Sequence, residues 1–259
     1  MTIVTAVVLV VAALLTAFRV PASAKGRGRP IVVCGVLTVL AFLLVVPPVY
    51  AALDRVIPGE NAVDPLTKIL LFGGMFILAD QLAKGLGSPR LVRLVSGLPG
   101  RVALALAAVL VVTFFLLADV PVSSPQLAVA NDDPFVALYT ATSLVYFSYL
   151  CVLLVVAVAR SFGPPPVGAS ARELRADRLD RLGRQLMMAG FVLVPVRLVL
   201  TPLTFLRPET YDAVQVLPVS TLALVVVGLW LVRLARRTAD GEVRDVSFAG
   251  LLARVRRDR

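Results

Sequence analysis

Histidine is absent from this 259-residue chain, and that absence removes several chemistries at once. A phospho-accepting histidine, a histidine acid–base relay, histidine-liganded zinc and histidine-ligated haem cannot be built from it. Cysteine is scarce as well. Cys34 and Cys151 each sit inside an apolar run, where a thiol behaves as a small hydrophobe, so a disulfide framework is not expected. Charged residues make up only 16% of the chain, against about a quarter in an ordinary soluble domain. Acids are the rarer sign, 16 against 26 lysines and arginines, for a net charge of +10. The sequence has no phosphate-cradling glycine loop, nucleophile elbow, HExxH or acidic prenyl-diphosphate motif. It is therefore expected not to be an enzyme and to carry no cofactor or metal.

What fills the space is apolar: 59% of residues are hydrophobic, gathered in long runs rather than spread with the period of a soluble helix. A membrane-spanning helix needs about 20 mostly apolar residues. Seven such stretches are legible, near 3–18, 31–53, 66–86, 102–118, 135–159, 186–206 and 214–232. The expected fold is all-α, a polytopic bundle of seven transmembrane helices over residues 1–232, followed by a basic tail over 233–259.

The loops between these runs alternate in charge. Of the 26 basic residues, 22 fall in the first, third and fifth loops and the tail, and loop four has three aspartates and no base. Arginine and lysine collect on the cytoplasmic side of membrane proteins. An odd number of crossings with an outside N-terminus and a cytoplasmic C-terminus satisfies this alternation, in what is expected to be a bacterial plasma membrane. Ala22-Ser23-Ala24 has the look of a signal-peptidase site. However, no basic segment precedes the first apolar run, and cleavage would leave a four-positive loop outside, so an uncleaved first span is preferred.

Two basic stretches are candidates for lipid or partner contact. Residues 170–185, SARELRADRLDRLGRQ, read as a helix leading into span six. Ser170 and Glu173 fit a capping box, and Asp177–Arg181 and Asp180–Arg184 stand at i,i+4. Its arginines, Arg172, Arg175, Arg178, Arg181 and Arg184, fit either a solvated extension or a docking surface for a cytoplasmic protein or anionic lipid. The tail over 241–259, with Arg254, Arg256 and Arg257 among apolar residues, suits a helix lying on an anionic leaflet. Nucleic acid is not an expected partner, since neither aromatic platforms nor a recognised module is present; homo-oligomers are compatible with everything above.

Inside the spans, Arg197 stands out, because an arginine at mid-membrane costs about 2.5–3.5 kcal/mol and needs a polar surrounding. Asp80 is the acid well inside a span. The span limits place Asp80 roughly 9 Å and Arg197 roughly 16 Å from the cytoplasmic edge, within an arginine's reach. A charge pair between them is predicted. In span five, Tyr139, Thr142, Ser143, Tyr146 and Tyr149 share about 120° of one helical face. That stripe either lines a ligand cavity or makes interhelical hydrogen bonds. Spans two and six each carry a glycine and, twelve residues on, a proline: Gly35 with Pro47, and Gly190 with Pro202. The matched spacing hints weakly at a three-plus-one-plus-three repeat of the carrier type.

The stretch 178–200, RLDRLGRQLMMAGFVLVPVRLVL, resembles a group of uncharacterised seven-span actinobacterial membrane proteins often labelled as transporters. The likeness lies in an arginine-rich lead (Arg178, Arg181, Arg184), a glycine (Gly190) and a later intramembrane arginine (Arg197). Segments 61–71 and 134–149 look similar too, while the tail is shorter than in many such members. The resemblance implies a seven-span integral membrane protein. Two functions follow as expectations: a heptahelical sensor-like or accessory component, or a small-solute transporter or transporter subunit.

Overall fold

A computed structural model describes residues 9–10, 13–14, 16–17, 28–57, 61–118, 133–163, 170–206 and 211–239, with side chains omitted at 203–213 and 215. The elements are all helices: α1 (Arg29–Leu44), α2 (Pro47–Asp54), α3 (Val63–Gly85), α4 (Pro89–Ser96), α5 (Leu98–Leu117), α6 (Pro134–Arg160), α7 (Ala171–Leu206) and α8 (Tyr211–Ala239). Among the described residues, five helices are long and apolar enough to cross a membrane, and six if the bent pair α1–α2 counts as one span. The first expected span, 3–18, is described only at six helical positions between 9 and 17. Residues 119–132 of loop four and the tail arginines Arg254, Arg256 and Arg257 lie outside the described residues.

Each helix begins where its sequence supplies a start. Proline occupies the first turn of α1, α2, α4, α5 and α6, where its missing N–H costs nothing. Asp133 caps α6 by accepting from Phe135 N at 2.7 Å, and Ser88 caps α4 by accepting from Leu91 N at 3.3 Å. α7 opens on the expected capping box, in which Ser170 Oγ accepts from Glu173 N (3.3 Å) and the Glu173 carboxylate accepts from Ser170 N (2.7 Å).

One expected span is bent rather than straight. Residues 31–53 read as a single crossing, yet the chain turns by 85° between α1 and α2. Pro47 removes a helical donor, and proline disfavours the α conformation in the residue before it. Val46 is accordingly extended, at φ −68°, ψ 120°. At 1.5 Å per residue, the 16 residues of α1 cover only about 24 Å, so α2 leaves the direction of α1 before a full bilayer is crossed. Spans four, six and seven instead run longer than expected. α4 and α5 continue as one 29-residue span interrupted at Gly97, α7 passes unbroken through Pro195 and Pro202, and α8 extends to Ala239.

α6 is the hub. α7 packs on one side of it and α3, α4 and α5 on another; α1 lies against α3, and α8 packs against α7. α3 and α7 both flank α6 with little direct contact between themselves. The core joins Phe72 of α3, Val95 of α4, Val111 of α5, Tyr139, Leu150 and Leu154 of α6, and Phe191 of α7. Large apolar side chains such as Leu98, Leu116 and Val199 are left exposed, as they must be where the solvent is lipid.

Lipid is as apolar as leucine, so helices associate in a bilayer through close packing rather than hydrophobic expulsion. The α7–α8 hairpin shows how. A β-carbon on Gly228 would fall 2.5 Å from the Gly183 carbonyl, and one on Gly190 would fall 2.9 Å from Val225 Cγ2. The two backbones touch along a glycine seam. On the other flank, Cys34 Sγ donates to the Gly74 carbonyl at 3.2 Å, tying α1 to α3 where the second glycine of Gly73-Gly74 leaves room.

Candidate functional site

The most concentrated polar chemistry lies at the end of the bundle where α2 meets α3 and α6 begins. Asp54, at the end of α2, accepts from the Asn61 backbone N–H at 3.2 Å, and Tyr50 donates to the Asn61 side chain at 3.0 Å. Asn61 itself has φ +59°, a left-handed conformation that asparagine tolerates better than most residues. Its carbonyl accepts from Asp64 N at 2.9 Å and so starts α3. Asp64 then stands in the first turn of α3, where the helix dipole favours an anion, and Tyr139 of α6 donates to its Oδ2 at 2.5 Å. Tyr50, Asn61, Asp64 and Tyr139 are all at least 97% buried. An acid so deeply removed from water is held by bonds to its charge, not by solvent.

Lys68 follows one turn along α3. Its ammonium lies 5.5 Å from the centre of the Tyr139 ring, a cation–π contact. The stem is partly exposed while the ammonium sits deep among protein atoms, in the fields of Asp64 and Arg197. Among the described residues Lys68 makes no contact ion pair. Lys68 thus lies against Tyr139 in the combined field of one acid and one further cation.

The predicted Asp80–Arg197 pair, direct or through water, makes no direct ion contact among the described residues. Lys84, one turn along the same helix, reaches Asp80 Oδ2 at 2.6 Å and Gln81 donates to the same oxygen at 3.1 Å, with Ser96 of α4 at its side. Arg197 acts on Lys68, twelve residues or about 18 Å along α3 from Asp80. The physical reason is proximity: an i,i+4 lysine finds the aspartate before an arginine on a helix that hardly touches α3. The Arg197 carbonyl accepts from Thr201 Oγ1 at 2.8 Å.

Of the hydroxyl stripe of α6, Tyr139, Ser143 and Tyr146 are buried and Thr142 and Tyr149 partly exposed, and its contacts divide by height. Tyr139 serves Asp64. Thr142 and Ser143 donate to carbonyls one turn back on their own helix, Leu138 at 2.8 Å and Tyr139 at 3.1 Å. The Tyr146 ring packs edge-on against Phe72, 4.9 Å between centres. Tyr149 reaches α4 and donates to the Leu94 carbonyl at 2.9 Å. Tyr146 and Ser148 are 97% and 93% buried, yet the Tyr146 hydroxyl and Ser148 Oγ have no hydrogen-bond partner among the described residues.

At the opposite, arginine-rich end the expected i,i+4 pairs are present, Asp177–Arg181 at 2.8 Å and Asp180–Arg184 at 2.6 Å. Three of the five arginines proposed for lipid or partner contact also have an inward task. Arg181 donates to the Gly163 carbonyl (2.9 Å) and Arg184 to the Ser161 carbonyl and hydroxyl (3.1 and 2.8 Å), just past the end of α6. Arg172 donates to the Thr238 carbonyl, at the end of α8, at 2.6 Å. Cations at helix C-termini satisfy orphan carbonyls and oppose the negative end of the dipole. Arg175 and Arg178 remain exposed beside Leu174 and Leu182.

The expected spans left Asp54 and Asp64 outside the membrane and gave Lys68 no partner, so the polar cluster was not anticipated. The available signal was the pattern Asp64, Lys68 at i,i+4 directly before an apolar run, together with the aromatic Tyr139 one turn into span five. Neither a protein-family model nor a curated protein nor a solved structure matches the chain.

Proposed function

We propose that this integral membrane protein is a non-catalytic, sensor-like or accessory component, in which the state of the buried cluster around Asp64, Lys68 and Arg197 is passed to the arginine-rich end. The observation that carries this reading is the continuity of α7. A single helix runs from Arg197, beside the cluster, to Arg172, over 25 residues or about 37 Å, and its first turns expose Leu174, Arg175, Arg178 and Leu182. Intramembrane ionisable groups are costly and default to function, and a rigid helix moves both of its ends together. The likeness to actinobacterial seven-span proteins, a cytoplasmic placement of the arginine-rich end in a bacterial plasma membrane, and contact there with anionic lipid or a protein partner all belong to this proposal.

The test labels the two helix ends. With both cysteines replaced by alanine, nitroxide-labelled cysteines at 160 and 178 report the distance between α6 and the exposed turns of α7. Replacing Arg197 with glutamine is expected to shift that distribution; an unchanged one refutes transmission through α7. A carrier is the second reading, favoured by the 85° break at Pro47, since broken spans border binding sites in transporters. The repeat that would support it weakens, because the matching proline of span six, Pro202, lies within an unbroken helix.

A further inference from the structure

We infer that the corner where α4 meets α5 is a site for an anionic phospholipid of the surrounding membrane, its phosphate held by Arg90, Arg93 and Arg101 and an acyl chain laid along α5. The inference goes beyond the signalling reading and needs only the membrane placement of the chain. α3 runs parallel to α6, with Asp64 beside Tyr139 and Phe72 beside Tyr146, so α4 follows at the arginine-rich end. Between Gln81 and Ala118 the sequence holds four cations and no acid. Lys84 is spent on Asp80. Arg90, Arg93 and Arg101 are exposed and make no contact ion pair among the described residues, whereas Arg181 and Arg184 of α7 each have an aspartate.

Local structure gathers the charges. α4 turns Leu91 and Val95 into the core, which leaves Arg90 and Arg93, neighbours at i,i+3, on its outer face. Arg101, near the start of α5, bends back and donates Nε to the Ser96 carbonyl at 2.9 Å. Ser96 follows Arg93 by three residues, so this bond draws the third guanidinium back toward the α4 pair. The corner is tight, since a β-carbon on Gly100 would overlap the Val95 carbonyl. With Nε engaged, the two terminal amino groups of Arg101 remain for a phosphate. The apolar half of the site follows below. Leu98, Val102, Leu106 and Val109 are exposed and fall within roughly 80° of one face of α5, with Arg101 about 60° to the side of Leu98. Exposed Leu116 lies about 27 Å along the helix from Leu98, close to the hydrocarbon thickness of about 30 Å. Leu98 therefore marks the hydrocarbon boundary, and the arginines stand at headgroup level, where they attract anionic lipid. A free anion would use the arginines alone; the apolar stripe beneath them is what a lipid adds.

The experiment reads the lipid beside α5 by fluorescence. Trp230, the sole tryptophan, is replaced by phenylalanine, and the full chain carries Val102→Trp or, at the far end of the stripe, Leu116→Trp. Each is reconstituted in equimolar phosphatidylglycerol–phosphatidylcholine vesicles in which one lipid or the other is brominated, and the quenching ratio gives the local preference. At 102 phosphatidylglycerol should be favoured about fivefold, and at 116 neither lipid should be. Arg90→Gln with Arg93→Gln should cut the preference at 102 to about twofold or less, and Arg101→Gln should lower it. Arg236→Gln with Arg237→Gln, at the end of α8, should leave it intact. Arg90 and Arg93 make no side-chain bond among the described residues, so the double variant should fold as the parent does. Its thermal midpoint in nanodiscs, followed with a thiol-reactive dye at buried Cys151, checks this. No preference at 102 overturns the inference and leaves the arginines to an acidic protein. An equal preference at 116, a preference unchanged in the α4 double variant, or an equal fall in the α8 variant overturns it too. The label-distance test at 160 and 178 involves neither α4 nor α5, so the two ideas fail separately.

Discussion

Gly228→Ala is the sharpest probe of how this bundle holds together. The added methyl carbon would lie 2.5 Å from the Gly183 carbonyl oxygen, 2.6 Å from Met187 Cγ and 2.9 Å from Met187 N. Two of those three atoms are backbone and cannot rotate away. Ordinary contact begins near 3.4 Å, so α7 and α8 must separate by about 0.9 Å along the seam or bend locally. Overpacking of this kind costs about 1–3 kcal/mol, while alanine returns up to about 1 kcal/mol of helix propensity over glycine. The net expectation is a loss of about 1–2 kcal/mol. At about 2–4 °C per kcal/mol for a chain of this order, the midpoint should fall by roughly 2–8 °C in nanodiscs. Gly85→Ala is the control, because a β-carbon there meets nothing within 4 Å; it should leave the midpoint unchanged or raise it slightly. Equal midpoints for the two variants would refute the claim that α7 and α8 meet through their backbones.

Three further outcomes follow from the polar contacts. Tyr139→Phe strips the buried Asp64 of its hydroxyl donor and should lower stability by about 1–3 kcal/mol in the same thermal assay. A double-mutant cycle of Asp80→Asn with Lys84→Met should show a coupling below about 1 kcal/mol, given the exposed lysine. The cycle of Asp80→Asn with Arg197→Met should be additive, and measurable coupling there would restore the pair, which makes no direct ion contact among the described residues. Arg184→Ala removes donors from the Ser161 carbonyl and hydroxyl, so hydrogen exchange should accelerate at the end of α6, around residues 158–163, and remain unchanged around Tyr139.

Much of the frame was legible from residues alone, for reasons that are local. A capping box and i,i+4 pairs depend on spacing within one turn, and Ser170–Glu173, Asp177–Arg181 and Asp180–Arg184 formed as spacing required. Tyr139, Ser143 and Tyr146 of α6 are buried, as hydroxyls turned from lipid should be, while Thr142 and Tyr149 are partly exposed. What escaped depends on partners brought together across the fold. Asp64 and Lys68 lie within a turn or so of the start of α3, where a charge looks solvated until Tyr139, 75 residues later, is seen above it. Asp80 and Arg197 were matched by depth alone, and depth says nothing about which helices touch. A proline pair such as 47–48 can break a helix, but an 85° turn depends on what α2 finds to pack against: Tyr50 on Asn61.

The glycine seam also bears on how the protein enters its membrane. α7 carries Arg197 and two internal prolines, a poor candidate for partitioning alone, since the arginine costs about 2.5–3.5 kcal/mol at mid-bilayer. Only four residues separate it in sequence from α8, the helix whose backbone fits against it. Delivered to lipid as a hairpin, the pair shelters what a solitary α7 would expose, so insertion of α7 is tied to synthesis of α8.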